Sequence, residues 1–231
     1  MINGKTVSVL VTTYHPDRWQ SLGMISSAWL DQPVEQVWVL DNRGNQGHVR
    51  SDDGFAFWPL PCDLKTRADY GVALLTDGDL IICADDDIVP QPGFAQDLVD
   101  GMDATGAGFV GVIGRVFDDP EYRKTTFYRA SKIDEPKCVD FTGVCYMAKR
   151  KYFGFDTRGM PVNADDLWHC RRYPEASKFV IPTDKYENLP ACNDGTAMFK
   201  NPELAAQRQA YYAEWYREAF EPHPYLREAS A

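Results

Sequence analysis

The stretch Asp79-Leu80-Ile81-Ile82-Cys83-Ala84-Asp85-Asp86-Asp87-Ile88-Val89-Pro90 constrains this chain more than any other. Its apolar half has the make-up of a strand covered on both faces, the pattern of a parallel sheet between helices. Three consecutive carboxylates end it, and such a cluster is costly away from water unless positive charge neutralises it. Carboxylate oxygens are hard ligands suited to Mg²⁺ or Mn²⁺, ions that keep waters and bind substrate phosphates beside one or two protein carboxylates. Open α/β sheets bind their ligands beyond the carboxyl ends of the strands, where this cluster falls. A second reading of the same residues is a solvated acidic turn before a helix, which Pro90, Pro92 and Gly93 also suit.

The segments on either side supply the rest of such a sheet. Thr6–Thr12 is rich in β-branched residues and predicts a central strand, followed from Asp17 by a helix with Trp19, Leu22, Ile25, Ser26 and Trp29 on one face. Val37–Leu40 predicts a second strand ending in Asp41-Asn42 and a turn over Gly44–Gly47, and Phe55–Leu60 a short third. Lys65–Leu75 reads as a short helix, Phe94, Leu98 and Met102 mark a helix after the aspartates, and Gly108–Ile113 returns as a strand. Alternating strands and helices predict an α/β domain with a mainly parallel sheet. Arg115–Lys137 lacks a clear period and is expected to be a long irregular segment; order resumes at Val139–Ala148, with helices near Ala164–Arg172 and Glu203–Phe220.

Composition narrows the function classes. At 231 residues and 44% hydrophobic the chain can bury a substantial core, and a net charge of −10 disfavours a broad electrostatic grip on nucleic acid or an anionic membrane. The N-terminus lacks the charged-then-apolar pattern of a signal peptide, and no apolar run approaches the roughly 20 residues needed to span a bilayer, so a cytoplasmic protein is expected. The six cysteines (Cys62, Cys83, Cys138, Cys145, Cys170 and Cys192) have no metal-binding spacing and are expected to be reduced and mostly buried.

Further groups could do chemistry. Thr12, Thr13 and Tyr14 after the first strand, with Asp41 and Asn42 after the second, lie where strand ends line a ligand crevice and could hydrogen-bond or stack on a base; Asp41-Asn42 equally suits a plain turn. Asn163-Ala164-Asp165-Asp166 opens a helix, with Asn163 in capping position and the aspartates complementing the helix dipole; a carboxylate here could also orient an acceptor hydroxyl or steady developing positive charge on a sugar. In the last helix, signalled by Asn201 and Pro202, Arg208 interrupts an apolar stripe of Leu204, Tyr212, Trp215 and Ala219. Its planar fork suits a phosphate oxygen, while a snorkelling arginine gives the same pattern. His48, His169 and His223 have no ligand spacing and read as surface or capping residues.

Taken in chain order, Thr12-Thr13-Tyr14, Asp41-Asn42, Ala84-Asp85-Asp86-Asp87, Gly108–Gly111, Thr142–Met147 with Lys151-Tyr152, Asn163–Asp166 and Gln207-Arg208 resemble the GT-A glycosyltransferases. More narrowly they resemble the exostosin-like family of retaining enzymes that use UDP-sugars. His15-Pro16 stands where that family has an Asn-Arg pair, with Arg18 slightly later.

The resemblance implies a Rossmann-like GT-A fold of two abutting halves, residues 1–114 binding the nucleotide-sugar and residues 115–231 the acceptor and the catalytic groups. It implies Asp87 as the ligand of Mn²⁺ (or Mg²⁺), with Asp85 beside it on the metal, ribose or sugar, and Asp86 in the same donor site. Thr12, Thr13, Tyr14, Asp41 and Asn42 would line the uridine pocket, and Arg67 would face the diphosphate or sugar. Asp166, with Asp165 beside it, matches the catalytic carboxylate, and Arg208 the arginine on the diphosphate. The expected activity is metal-dependent, retaining transfer from a UDP-sugar to a hydroxyl of a glycan, lipid-linked intermediate, small molecule or hydroxymethylated DNA base. The rival readings are a nucleotidyltransferase, which would carry a Gly-rich phosphate loop that this chain lacks, and a non-catalytic module for sugar nucleotide or metal.

Overall fold

A computed structural model of the chain describes residues 1–13, 18–44, 50–52, 54–60, 64, 67–154, 157–161, 163–190 and 200–220. Its first half alternates β1 (Val7–Thr13), α1 (Trp19–Leu30), β2 (Gln36–Asp41), β3 (Arg50–Asp52), β4 (Phe55–Pro59), α2 (Ala68–Val72), β5 (Leu80–Asp85), β6 (Ile88–Pro90) and α3 (Phe94–Thr105). The second half holds β7 (Phe109–Val116), β8 (Thr126–Arg129), β9 (Lys137–Val139), β10 (Phe141–Lys149), α4 (Asp165–Arg172), β11 (Lys178–Val180), β12 (Tyr186–Asn188) and α5 (Pro202–Phe220).

Among the described residues, the main sheet runs β3-β4-β2-β1-β5-β10-β7-β11-β9, with β8 also paired to β7. The pairings β4–β2, β2–β1, β1–β5 and β7–β11 are parallel, and β10 is inserted antiparallel between β5 and β7. The strands β4, β2, β1, β5, β7 and β11 thus run the same way, so the sheet is mostly parallel in strand direction, as the alternating pattern predicted, while β3, β8 and β9 pair antiparallel at its margins. Residue 114 lies within β7, so one sheet continues across the two proposed halves.

Period-2 alternation divides the core between the two faces of this sheet. Val7, Val9 and Val11 of β1, Ile82 and Ala84 of β5 and Met147 of β10 pack on one face with Leu22, Ile25 and Trp29 of α1 and Phe94, Leu98 and Met102 of α3. Leu10, Ile81, Cys83, Tyr146 and Phe109 point to the other, against Ala68 and Tyr70 of α2 and Trp168 of α4. A third cluster of Phe117, Phe141, Ala164, Leu167, Cys170 and Tyr212 seats α5 on the end of β10 and on α4. Both predicted helical stripes of the first half are buried except at Trp19, which is exposed at the start of α1.

Three expectations are corrected. Arg115–Lys137 is not irregular: β7 runs to Val116, and β8 folds back on it with Ile113 opposite Arg129 and Val116 opposite Thr126. β8 hides its period because its two aromatics, Phe127 and Tyr128, stand side by side between Thr126 and Arg129, and an edge strand tolerates either residue type on its outer face. Asn163 does not cap α4; it has φ +60°, Ala164 occupies the cap position, and the Asn163 amide donates instead to the Leu204 carbonyl at 3.2 Å. Ala219 is exposed rather than part of the buried stripe of α5. Asn201 does cap that helix, its Oδ1 accepting from the backbone of Glu203 at 3.0 Å and Leu204 at 3.3 Å. Of the cysteines, Cys83, Cys145 and Cys170 are free and buried and Cys138 is free and exposed, while Cys62 and Cys192 lie outside the described residues.

Candidate active site

Strand register brings the predicted residues into one row. Thr12 pairs with Asp85 and with Leu40, and Thr13 pairs with Asp41, so β1, β2 and β5 end side by side. Alternation then sorts their side chains. Thr12 and Asp85 lie on the α2 and α4 face, in phase with Leu10 and Cys83, whereas Thr13 and Asp41 lie on the α1 face, in phase with Val11 and Val39. Thr12 donates to the Asp69 carboxyl at the start of α2. Asp41 is gripped by Arg43 through Nε at 2.7 Å and Nη2 at 2.9 Å, and that guanidinium stacks over Trp19 with 3.9 Å to the ring centre. Asn42 accepts the backbone N–H of Leu64 at 2.7 Å. Tyr14 lies outside the described residues, as do His15, His48, His223 and most of the Gly44–Gly47 turn.

The aspartate triplet is the electrostatic centre. Asp85 is exposed, but the protein packed around it reduces its hydration and raises its pKa well above the ordinary carboxylate value, and the charges of Asp87, Asp86, Asp165 and Asp69 raise it further. Asp86 and Asp87 are buried and share Arg18, whose Nη1 lies 2.5 Å from Asp86 Oδ1 and 3.0 Å from Asp87 Oδ2. Burial lifts Asp69 to about 7 against the pull of the Thr12 hydroxyl. Repulsion among these groups is what a cation would relieve. Among the described residues no group of three or more His, Cys, Asp or Glu side chains is placed to hold a metal ion by itself. A pair of carboxylates such as Asp85 and Asp87 fits a hard cation that completes its shell with phosphate oxygens and water.

A second set is built on α4 and α5, whose Asp165 acts on Asp85 of this cluster. Asp166 and Arg208 form a two-pronged pair, Oδ1 to Nη1 and Oδ2 to Nη2 both at 2.8 Å, and Arg208 also donates to the Asn163 carbonyl and the Tyr122 hydroxyl, each at 2.8 Å. The ring of Tyr122 lies 4.9 Å from the guanidinium carbon. This pair raises the Arg208 pKa despite burial, so the guanidinium stays charged. Gly143 makes the arrangement possible, because a Cβ at that position would overlap Asp166 Oδ2. β10 shifts register between Gly143 and Tyr146, and Val144 within that bulge has φ +66°, a costly conformation for a β-branched residue. The bulge lets Asp166 approach while returning Tyr146 to the α2 face.

Asp165 lies behind this pair. Burial, with the Asp166 charge next to it, raises its carboxyl to about 7. Its Oδ2 is 3.2 Å from Tyr70 OH, which is 2.9 Å from Tyr146 OH, which is 3.0 Å from His169 Nδ1. His169 is not the surface residue expected: it is fully buried, its Nε2 lies 2.8 Å from the Tyr152 carbonyl, and Phe109 and Phe153 cross its ring at 4.9 Å. Burial holds its pKa down to about 3, against the pull of the Tyr152 carbonyl.

Arg67 bonds the Met160 carbonyl at 2.6 Å through Nη2, and its Nε, like Thr13 Oγ1, is buried without a hydrogen-bond partner in this structure. Arg18, Asp69, Tyr70, Tyr122, Tyr146 and His169 are the site members that sequence spacing did not assign. The signal for His169 was its setting in Leu167-Trp168-His169-Cys170, where every neighbour is apolar. Arg18 meets Asp86 across 68 residues, a separation that no local pattern reports.

No family model matches the chain, and no curated protein matches it. Among the described residues no helix is long and apolar enough to cross a membrane. The architecture is similar to a solved structure of residues 1–349 of S. aureus TarS, at 11% sequence identity and a TM-score of 0.57. The match covers 93% of this chain and 72% of the TarS chain, and it establishes the fold: mixed α/β with a mostly parallel central sheet flanked by helices.

Proposed function

We propose that this protein transfers a sugar from a UDP-sugar to an acceptor hydroxyl, with retention at the anomeric carbon. One observation carries the reading: Asp85, Asp86 and Asp87 stand together at the carboxyl end of the central strand, where Arg18 offsets only part of their charge, and Asp165, beside the Asp166–Arg208 pair, shares the field of Asp85. Asp85 and Asp87 would hold Mn²⁺ or Mg²⁺, and such an ion supplies charge stabilisation for a departing diphosphate. Thr12, Thr13, Asp41 and Asn42, with Tyr14 next to them in sequence, would form the nucleoside end, and the unpartnered buried atoms of Thr13 and Arg67 are groups that a bound nucleotide would satisfy. Residues 1–114 thus hold most of the donor site, and residues 115–231 supply Asp165, Asp166, Arg208 and the acceptor side.

The way the α4 carboxylates are engaged supports retention. An inverting reaction needs a free carboxylate as base on the acceptor. Asp166 is clasped by Arg208 through both oxygens, and Asp165 is biased towards its protonated form. In this reading the acceptor hydroxyl attacks from the leaving-group face and gives its proton to a diphosphate oxygen. Asp166 places the sugar or acceptor, and Arg208 lends its remaining positive field to the leaving diphosphate.

The test is turnover. UDP-sugars are supplied with Mn²⁺ and a panel of glycan, lipid-linked, small-molecule and hydroxymethylated-DNA acceptors, UDP release is measured, and the anomeric configuration of the product is read by NMR. UDP release with retained configuration, reduced at least 100-fold by Asp87→Ala, is expected. Inversion would overturn the stereochemical part, and no release from any UDP-sugar would overturn the whole reading.

A further inference from the structure

Four contacts run in line from the start of α4 into the core: Asp165 Oδ2 to Tyr70 OH at 3.2 Å, Tyr70 OH to Tyr146 OH at 2.9 Å, Tyr146 OH to His169 Nδ1 at 3.0 Å, and His169 Nε2 to the Tyr152 carbonyl at 2.8 Å. Each hydrogen bond needs one proton. The Tyr152 carbonyl can only accept, so Nε2 carries a hydrogen. A neutral His169, Tyr146 and Tyr70 then hold three protons for four bonds. The fourth comes either from a second proton on the imidazole or from a proton on Asp165.

The first source is unfavourable. His169 is fully buried, and the nearby Lys178 charge repels an imidazolium. If neither source applied, an ionised Asp165 would take the Tyr70 hydrogen, and the single Tyr146 hydrogen would have to serve both Tyr70 and His169. One buried bond would be lost, at a real cost in a low-dielectric core.

We propose that Asp165 is held as a neutral carboxylic acid by a one-way hydrogen-bond chain whose direction His169 sets, which makes His169 a positioning residue for the site. Asp165 O–H donates to Tyr70, Tyr70 to Tyr146, Tyr146 to Nδ1, and Nε2–H to the Tyr152 carbonyl. The other groups acting on Asp165 agree: Asp166 on its own helix and Asp69 on α2 disfavour a further negative charge, and Asp85 on β5 stands in the same field. Arg208 on α5 acts the other way, but both its terminal nitrogens are bound to Asp166. The raised carboxyl of Asp165 is the expected thermodynamic signature.

This deepens the glycosyl-transfer reading, on which it rests for its purpose. With Asp165 neutral, the only charge at the start of α4 is Asp166, which Arg208 balances. An anionic diphosphate then meets one negative charge fewer beside the aspartate triplet.

The test needs no turnover. In protein labelled with ¹⁵N-histidine, two-bond ¹H–¹⁵N correlations assigned by loss of the His169 signals in His169→Gln should show the Nε2–H tautomer at pH 6. An infrared difference spectrum of wild type against Asp165→Asn at pH 6 should contain a carboxylic-acid carbonyl band, bleaching with a midpoint near the value of about 7 set by the surroundings of Asp165. Tyr146→Phe frees Tyr70 to donate to Asp165, so that band should be lost at pH 6 although the residue changed does not touch Asp165. An Nδ1–H tautomer or an imidazolium, no acid band in the wild type, or a band untouched in folded Tyr146→Phe overturns the proposal. Should that variant not fold, the wild-type tautomer and band decide it alone. Acid band present with no UDP-sugar turnover leaves the chain standing and removes the glycosyl-transfer reading; turnover without the band does the reverse.

Discussion

Asp166 and Arg208 are 14% and 15% exposed and hold each other through both oxygens, so whatever moves one carboxylate oxygen moves the site. Gly143 is the residue that permits this, since a single methyl there occupies the place of Asp166 Oδ2. Gly143→Ala is expected to cost about 1–3 kcal/mol through overpacking and to lower turnover with it. The measurement is chemical denaturation beside UDP release; an unchanged midpoint and rate would mean that Asp166 has room to spare. His169 gives a second expectation. It stays neutral in the folded protein down to about pH 3, whereas in the unfolded chain it takes a proton near pH 6.5. Below pH 6.5 the unfolded state binds more protons, so stability drains away as the pH falls. The advantage of wild type over His169→Gln should shrink by about 2–3 kcal/mol between pH 6.5 and 4.5, read from urea midpoints at each pH. Comparing the two proteins is essential, because Asp69 and Asp165, raised to about 7, act with opposite sign: their cost is present above pH 7 and is relieved as the pH falls. Local sequence carries only a hint of this, the apolar setting of His169 between Trp168 and Cys170. His169 was misassigned because burial depends on Phe109 and Phe153, which reach it from other elements.

At the scale of elements, what was legible is what repeats. α1 and α3 were readable because their apolar residues recur at helical spacing over a sheet face built of Val7, Val9, Val11, Ile82 and Ala84. α5 was readable from its start signal, and its cap is real. That cap matters beyond helix stability, because α5 carries Arg208 to Asp166. Asn201→Ala should cost about 1 kcal/mol, with a thermal midpoint lower by roughly 2–4 °C for a chain of this size; no change would mean that the end of α5 is fixed by packing alone. β8 was not legible, because an edge hairpin needs only one apolar face, and Phe127 and Tyr128 sit among arginines and threonines. The bulge in β10 was equally silent. Thr142-Gly143-Val144 reads as an ordinary strand with a glycine in it, and only the approach of Asp166 explains why the glycine stands there.

At the scale of the whole molecule, an antiparallel strand inserted between parallel neighbours brings residues from both ends of the chain to one strand edge. Thr12, Asp85, Asp165 and Arg208 are spread over nearly the full sequence, yet their registers and helix ends place them within one electrostatic field. The triplet itself was the clearest signal in the sequence, because three carboxylates after a buried strand have few stable arrangements without a cation. Cation binding should therefore be linked to protons. Asp85 is held above its ordinary pKa, so Mn²⁺ affinity should rise from pH 5.5 to 7.5 as bound protons are displaced. A pH-independent affinity would place the ion elsewhere. The most direct test of the central claim is calorimetric titration of UDP into the protein, with and without Mn²⁺, in wild type and Asp87→Ala. The account predicts UDP binding that Mn²⁺ strengthens at least tenfold and that Asp87→Ala returns to the metal-free value. Equal binding in all four titrations would contradict it, because the aspartates at the end of β5 would then have no part in holding a nucleotide.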